Sequence, residues 1–354
     1  MSEFGVYVHI PFCRHRCDYC AFATWTDKDA VIVDYVEAVC RDIEQSCTRG
    51  LPVVDTVFFG GGTPTRIDAR YVAQIVRALP LSDNPEVTVE CNPDDVTPRM
   101  MEIFADAGVN RVSIGVQSMV PHVLNTLGRT HNPDNVSASI DAARRAGITS
   151  INCDVIYGSV GESLDDWRAT LEGVIALGVT HVSAYGLTIE PGTELSLDPT
   201  RHPDDDDQAD KYLLADDVLT SAGFENYEIS NWALPGHSCR HNKVYWSQGN
   251  YQGFGCAAHS HLNGRRWWNV RTPERYIACV RSGDSVEASD EILDIETRVR
   301  EGLELSLRTS DGVPVGVLDE DELAGLVERR GTRVVLTRQG RLLANEVSLR
   351  LRPR

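Results

Sequence analysis

Cys13, Cys17 and Cys20 lie in one short run near the start of the chain, spaced Cys-x3-Cys-x2-Cys. Three thiolates on one loop can wrap a [4Fe–4S] cluster and leave one iron without a protein ligand, free to chelate a small molecule. Zinc is the competing metal, with His9 or His15 as a fourth donor. Closed zinc sites more often pair two separated Cys-x2-Cys units, and this chain has no second unit. The other cysteines are scattered along the chain, and most of them read as small buried hydrophobes. A second run, Gly60-Gly61-Gly62-Thr63-Pro64, allows backbone to approach a ligand closely, because glycine has no Cβ. Taken alone, that run also fits an ordinary strand-to-helix loop.

These residues need elements to position them. Short β-like runs at residues 5–10, 56–59, 87–91, 111–116, 150–156 and 181–187 alternate with helical patterns at 29–47, 68–79, 98–107, 134–146 and 164–177. Alternating strand and helix implies parallel strands with right-handed crossovers. The spacing predicts an α/β fold, a partial six-stranded (β/α)6 barrel over residues 1–230, with a doubly wound open sheet as the runner-up. Residues 231–354 predict an α+β extension. It ends in a small winged-helix-like unit: a helix over 298–307, a second near 320–328, a strand pair and a last helix over 339–349. Gly108, Gly147 and Gly178 follow helical runs and predict left-handed caps. The acidic run at 204–207 predicts a helix start rather than a metal site.

Each polar or glycine-rich motif of the first part falls just after a predicted strand. The cluster loop follows the first, Gly60–Pro64 the second, Glu90 and its neighbours the third, Gln117 the fourth, Asp154 the fifth and Tyr185 the sixth. Carboxyl ends of parallel barrel strands converge on one face, so these motifs point at one site.

Composition narrows the partners. The 354 residues carry a net charge of −18, which opposes nucleic acid or an anionic membrane surface as main partner. The locally basic stretch 329–354 leaves a DNA-binding regulator as a minor alternative. No apolar run reaches the ~20 residues that cross a bilayer. The start of the chain lacks a basic and apolar leader, so a cytoplasmic, reducing location is expected.

The run Tyr7-Val8-His9-Ile10-Pro11-Phe12-Cys13, with Cys17, Tyr19-Cys20 and Gly60 to Thr65, resembles the radical-SAM proteins grouped with oxygen-independent coproporphyrinogen III oxidase. The resemblance implies that Cys13, Cys17 and Cys20 ligate a [4Fe–4S] cluster whose open iron binds S-adenosylmethionine (SAM). In that group an electron from the cluster cleaves SAM to a 5′-deoxyadenosyl radical; the cofactor carries this chemistry and the protein positions it. It further implies SAM contacts from Tyr7, from Gly61, Gly62 and Thr63 beside the methionine moiety, and from Glu90 near the ribose. Gln117, Arg129 and Asp154 match further polar contacts.

Two features bear on the subgroup. The oxidases resemble Cys-x3-Cys-x2-Cys-x-Cys, and here the fourth position is Phe22; they also carry a substantial segment before the tyrosine, where only six residues precede Tyr7. The run His241-Asn242-Lys243-Val244-Tyr245-Trp246 is similar to the signature of the HemW heme chaperones, as are residues 253–260 and 337–345. This implies a chaperone that binds heme and passes it to an acceptor protein, with oxidative decarboxylation of coproporphyrinogen III as the alternative. A membrane-associated acceptor and a homodimer are left open. His241 is the candidate heme ligand, because imidazole suits heme iron and Tyr245 and Trp246 could stack on the macrocycle. His237 and Cys239 are rival ligands, and a lone loop histidine is otherwise most often structural. Arg240, Lys243, Arg265 and Arg266 predict a basic patch for the heme propionates.

Overall fold

The computed structural model describes residues 3–129 and 131–352. The first part alternates as expected: β1 (Phe4–Ile10), α1 (Ile32–Thr48), β2 (Val54–Gly61), α2 (Ala69–Ala78), β3 (Leu81–Cys91), α3 (Pro98–Asp106), β4 (Arg111–Gln117), α4 (Pro121–Thr126), α5 (Asp134–Arg145), β5 (Ser150–Tyr157), α6 (Leu164–Ala176) and β6 (His181–Gly186). Then come α7 (Asp205–Ser221), β7 (Glu225–Glu228), β8 (Asn231–Ala233), α8 (Arg240–Trp246), β9 (Asn250–Phe254), β10 (His259–Leu262), β11 (Arg265–Asn269), α9 (Pro273–Ser282) and β12 (Glu287–Ile292).

Strands β1 to β6 are parallel and lie in sequence order, the signature of repeated right-handed β-α-β units. Strand β9 adds parallel to β1, and β10, β11 and β12 extend that edge antiparallel. At the other edge β8 and β7 add antiparallel beyond β6. Among the described residues β1 and β6 do not pair, so the six-stranded run is a partial, open barrel. The sheet is continuous across residue 230, since β8 to β12 all join it.

Local chemistry explains the element ends. Asp68 caps α2 and Thr97 caps α3, each accepting from a backbone N–H; Ser163 and Asp166 form a capping box on α6. The acidic run is a cap as expected: Asp204 accepts from the Asp207 N–H at 2.9 Å. In β1, Val6, Val8 and Ile10 join the core with Tyr35, Val39 and Ile43 of α1. Tyr7 and His9 point to the other face.

The end of the chain forms a separate small core from Leu307, Val313, Leu318, Val334 and Val347. Helix α10 (Ile295–Leu307) packs over an antiparallel sheet of β13 (Val313–Pro314), β14 (Val327–Arg330) and β15 (Arg333–Leu336), followed by α11 (Arg338–Leu342) and α12 (Ala344–Ser348). Two expectations change here. The helix expected near 320–328 is a series of turns: Gly325 takes a φ of +86°, and Val327 enters the ladder opposite Leu336. The last helix breaks at Leu343, whose φ of −111° departs from helical geometry.

Candidate functional site

The loop after β1 carries three partly exposed thiols, Cys13, Cys17 and Cys20; of the others Cys47 and Cys279 are also partly exposed, and Cys40, Cys91, Cys153, Cys239 and Cys256 are buried. Its root is pinned by the Cys13 N–H to the Trp25 carbonyl at 3.0 Å and the Trp25 N–H to the Pro11 carbonyl at 2.8 Å. Other strand-end segments reach in. Thr63 Oγ1 donates to Cys13 Sγ at 3.5 Å, and Arg129 Nη1 donates to Cys17 Sγ at 3.4 Å. Burial pushes the Cys13 and Cys20 thiols up, so binding iron there must release protons. Among the described residues no three His, Cys, Asp or Glu side chains gather on a single-ion site. A thiol-only donor set on one half-exposed loop, met by donors from β2 and the segment after α4, fits an iron–sulfur cluster.

The turn after β2 is held where only glycine fits. Gly61 has a φ of +101°, and a Cβ there would lie 2.1 Å from His9 Nδ1; one on Gly62 would lie 2.6 Å from the Ile10 carbonyl oxygen. The Gly61 N–H donates to Glu90 Oε2 at 3.3 Å. Burial, with the Asp154 charge adding, pushes Glu90 up to about 8. Asp154 is also raised by burial, and it accepts from Ser113 Oγ at 2.6 Å and Asn152 Nδ2 at 2.8 Å. At the end of β4, Gln117 takes a φ of +62°, a costly conformation for a residue with a side chain. That turn brings Gln117 and Arg129 over Gly115, whose carbonyl accepts from Arg129 Nη2 at 3.0 Å. Gly61, Gly62, Thr63, Glu90 and Gln117 therefore lie at or beside the carboxyl ends of their strands, with Arg129 reaching over from the segment after α4, whereas Tyr7 and Asp154 sit three residues inside β1 and β5.

His9, read from the sequence only as a zinc donor, completes this edge. Its Nε2–H donates to the Ala23 carbonyl at 2.9 Å, so Nδ1 accepts from the Tyr7 hydroxyl at 3.0 Å. Burial lowers His9 to about 4 and keeps it neutral. The chain Tyr7–His9–Ala23 ties β1 to the cluster loop. The Tyr-x-His spacing was the signal for it, since period two puts both rings on one face.

His241 lies elsewhere. Glu86 of β3 caps α8, accepting from the Arg240 N–H at 3.1 Å and the His241 N–H at 3.0 Å. The capped helix inserts into the inner face of the sheet, where the imidazole, fully buried, stacks on Phe58. Its Nδ1 meets Thr56 Oγ1 at 2.9 Å and its Nε2 meets the Tyr245 hydroxyl at 2.8 Å. Burial pushes it down to about 3. Thr56 pairs with Gly5, four residues below His9 on β1; at about 3.3 Å per residue that is about 13 Å deeper. In this conformation the imidazole has no free nitrogen. Cys239 is also buried, with its Sγ 3.5 Å from Glu86 Oε1, and the His237 carbonyl accepts from Arg111.

A cavity of about 790 Å³ opens between the cluster loop and the β9–β11 edge. Tyr7, His9, Phe22, Tyr245, His259 and Trp268 line it, and His241, His237, Cys239 and Trp246 do not. The expected basic patch is dispersed. Arg240 pairs with Glu3, Arg265 with Glu287 and Asp290, and Arg266 with Glu291 and Glu301. Strand alternation also separates Arg265, which lies over Trp267, from Arg266, which faces the cavity.

Comparison with known proteins agrees with this geometry. The Radical SAM superfamily pattern matches residues 7–174. The chain is 38% identical to the heme chaperone HemW of Mycobacterium tuberculosis, over 98% of this chain and 94% of that protein. It is 32% identical to HemW of Bacillus subtilis, over 97% of each, and 36% identical to HemW of Escherichia coli, over 82% of this chain and 80% of that protein. The fold matches that of coproporphyrinogen III oxidase (HemN) from Escherichia coli with a TM-score of 0.85, at 20% identity, covering 98% of this chain and 89% of that one. With its open parallel sheet, its thiol loop and this near full-length likeness, the chain belongs to the HemW family of radical-SAM heme chaperones.

Proposed function

We propose that the protein binds heme and transfers it to an acceptor protein, and that it carries a [4Fe–4S] cluster on Cys13, Cys17 and Cys20 with SAM beside it. The observation behind this reading is that the loop of Cys13, Cys17 and Cys20 meets the glycine turn through Thr63 and runs on, through Ala21, Phe22 and Ala23, into the wall of the 790 Å³ cavity. When bound, the cluster and SAM supply one-electron chemistry. The chain's own residues do the rest. Gly61 and Gly62 let backbone approach the ligand, Glu90 and Asp154 present acceptors for hydroxyl groups, Arg129 supplies a donor beside Cys17, and Gln117 offers its amide over Gly115. Tyr7 and His9 hold the loop to β1. The division at residue 230 is then one of roles: residues 1–230 carry the cluster and SAM side, and 231–354 close the cavity. Among the described residues no helix is long and apolar enough to cross a membrane.

The test is anaerobic reconstitution with iron and sulfide, heme titration, and transfer from the loaded protein to an apo-cytochrome. Transfer supports the reading. Formation of protoporphyrinogen from coproporphyrinogen III would favour the oxidase alternative instead.

A further inference from the structure

Histidines gather around the large cavity, and their partners separate them. His9 is bonded at both ring nitrogens, to Tyr7 and Ala23. His261 is bonded at both, to the Gly249 carbonyl at 2.8 Å and the Gly264 N–H at 3.2 Å. His241, behind Tyr245, is likewise saturated. His259 is the exception: it is exposed at the cavity, and among the described residues neither of its ring nitrogens makes a hydrogen bond. Its ring is held from the side, because His259 pairs with Trp268 across β10 and β11 and stacks on that indole at 5.8 Å and 26°.

The surroundings suit a flat dicarboxylate macrocycle. Phe22, 68% exposed, faces the cavity from the cluster loop, and Tyr245 and Tyr251 form its floor. Arg271 lines the rim and makes no ion pair among the described residues, unlike Arg266, which is shared by two glutamates. The volume falls in the range of small-molecule sites, roughly 300–1,000 Å³. A free imidazole braced by an indole, with a free guanidinium at the rim, meets the two chemistries of heme: an iron that takes a nitrogen ligand and propionates that take an arginine.

The geometry points to His259 as the axial ligand of the carried heme, with Trp268 bracing the imidazole and Arg271 receiving a propionate. This rests on the chaperone reading. A coordinate bond forms from an imidazole nitrogen to the iron and a weakly held solvent ligand leaves, with no change of oxidation state. The site would place the iron beside the segment that follows Cys20, in a cavity open enough to hand its contents on.

The experiment is a hemin titration of the full-length reconstituted protein, followed by Soret absorption and resonance Raman, for wild type, His259→Ala, His259→Cys and His241→Ala. The expected result is an imidazole-ligated spectrum in wild type and in folded His241→Ala. His259→Ala should lose it and weaken heme about tenfold or more, the equivalent of roughly 1.4 kcal/mol. His259→Cys should replace it with a thiolate-ligated spectrum, which keeps the test decisive if the alanine variant is compromised. Wild-type spectra from both His259 variants would overturn the assignment and leave the chaperone reading intact. Absence of heme binding by the wild type would remove both.

Discussion

The mouth and the floor of the parallel sheet each carry a histidine-and-motif signature, and they differ in how fully their side chains are partnered. At the mouth, the thiols of Cys13, Cys17 and Cys20 are partly exposed, Gln117 holds a strained φ of +62°, and the His259 ring makes no hydrogen bond among the described residues. At the floor, His241 is saturated by Thr56 and Tyr245, and α8 is capped by Glu86. Buried polar groups with every partner in place specify packing. Unpartnered donors around an accessible cavity are free for a ligand. A motif containing an imidazole can serve either purpose, and the partners tell which.

The contrast can be broken or sharpened by substitution. The largest effect is expected at the mouth: Cys17→Ala should abolish cluster assembly, read as iron content after reconstitution, while the melting temperature of the metal-free chain changes little. His241→Ala should do the opposite. Losing a buried ring and stranding two hydroxyl partners costs about 2–4 kcal/mol of stability by urea unfolding, and the folded fraction should still take up iron. Iron loss without destabilisation would merge the two regions.

Glu90 gives a pH signature. Its carboxyl rises from 4.5 to about 8 on folding. The folded state therefore binds the extra proton between those values, and stability of the metal-free chain should fall as pH rises from about 4.5 to about 8. Glu90→Gln should flatten that slope; an unchanged slope would assign it to another group. Gly61→Ala forces a Cβ toward His9 in a left-handed conformation and should cost about 1–3 kcal/mol, with SAM affinity falling alongside. The smallest effect belongs to Arg265→Ala. Its two surface ion pairs are worth about 0.2–1 kcal/mol each at most, and heme affinity should not move, because the side chain faces away from the cavity.

Much of this was legible in the chain. Period-two runs and helical patterns predicted the order of β1 to β6 and five of the helices between them, because local propensity and burial agree there, but β3 starts at Leu81 rather than at 87 and α4 had no counterpart in the pattern. The 320–328 helix failed because tertiary pairing of Val327 with Leu336 outweighed a helical pattern next to Gly325. The strand-end address of Glu90 and Gln117 could be read from order alone. The surroundings of His241 could not, since Thr56, Phe58 and Glu86 lie far from it in sequence and meet it only through the sheet register. The same holds for the pairing of His259 with Trp268. Arg265 and Arg266 looked like one patch until alternation put them on opposite faces.

The central claim, that Cys13, Cys17 and Cys20 hold a cluster with one open iron, is tested most directly by Mössbauer spectroscopy and metal analysis of anaerobically reconstituted protein, with and without SAM. The account predicts about four irons per chain, one of which changes its signal when SAM is added, and loss of the cluster when any of the three cysteines is replaced. Stoichiometric zinc, or a cluster whose irons are all indifferent to SAM, would contradict it.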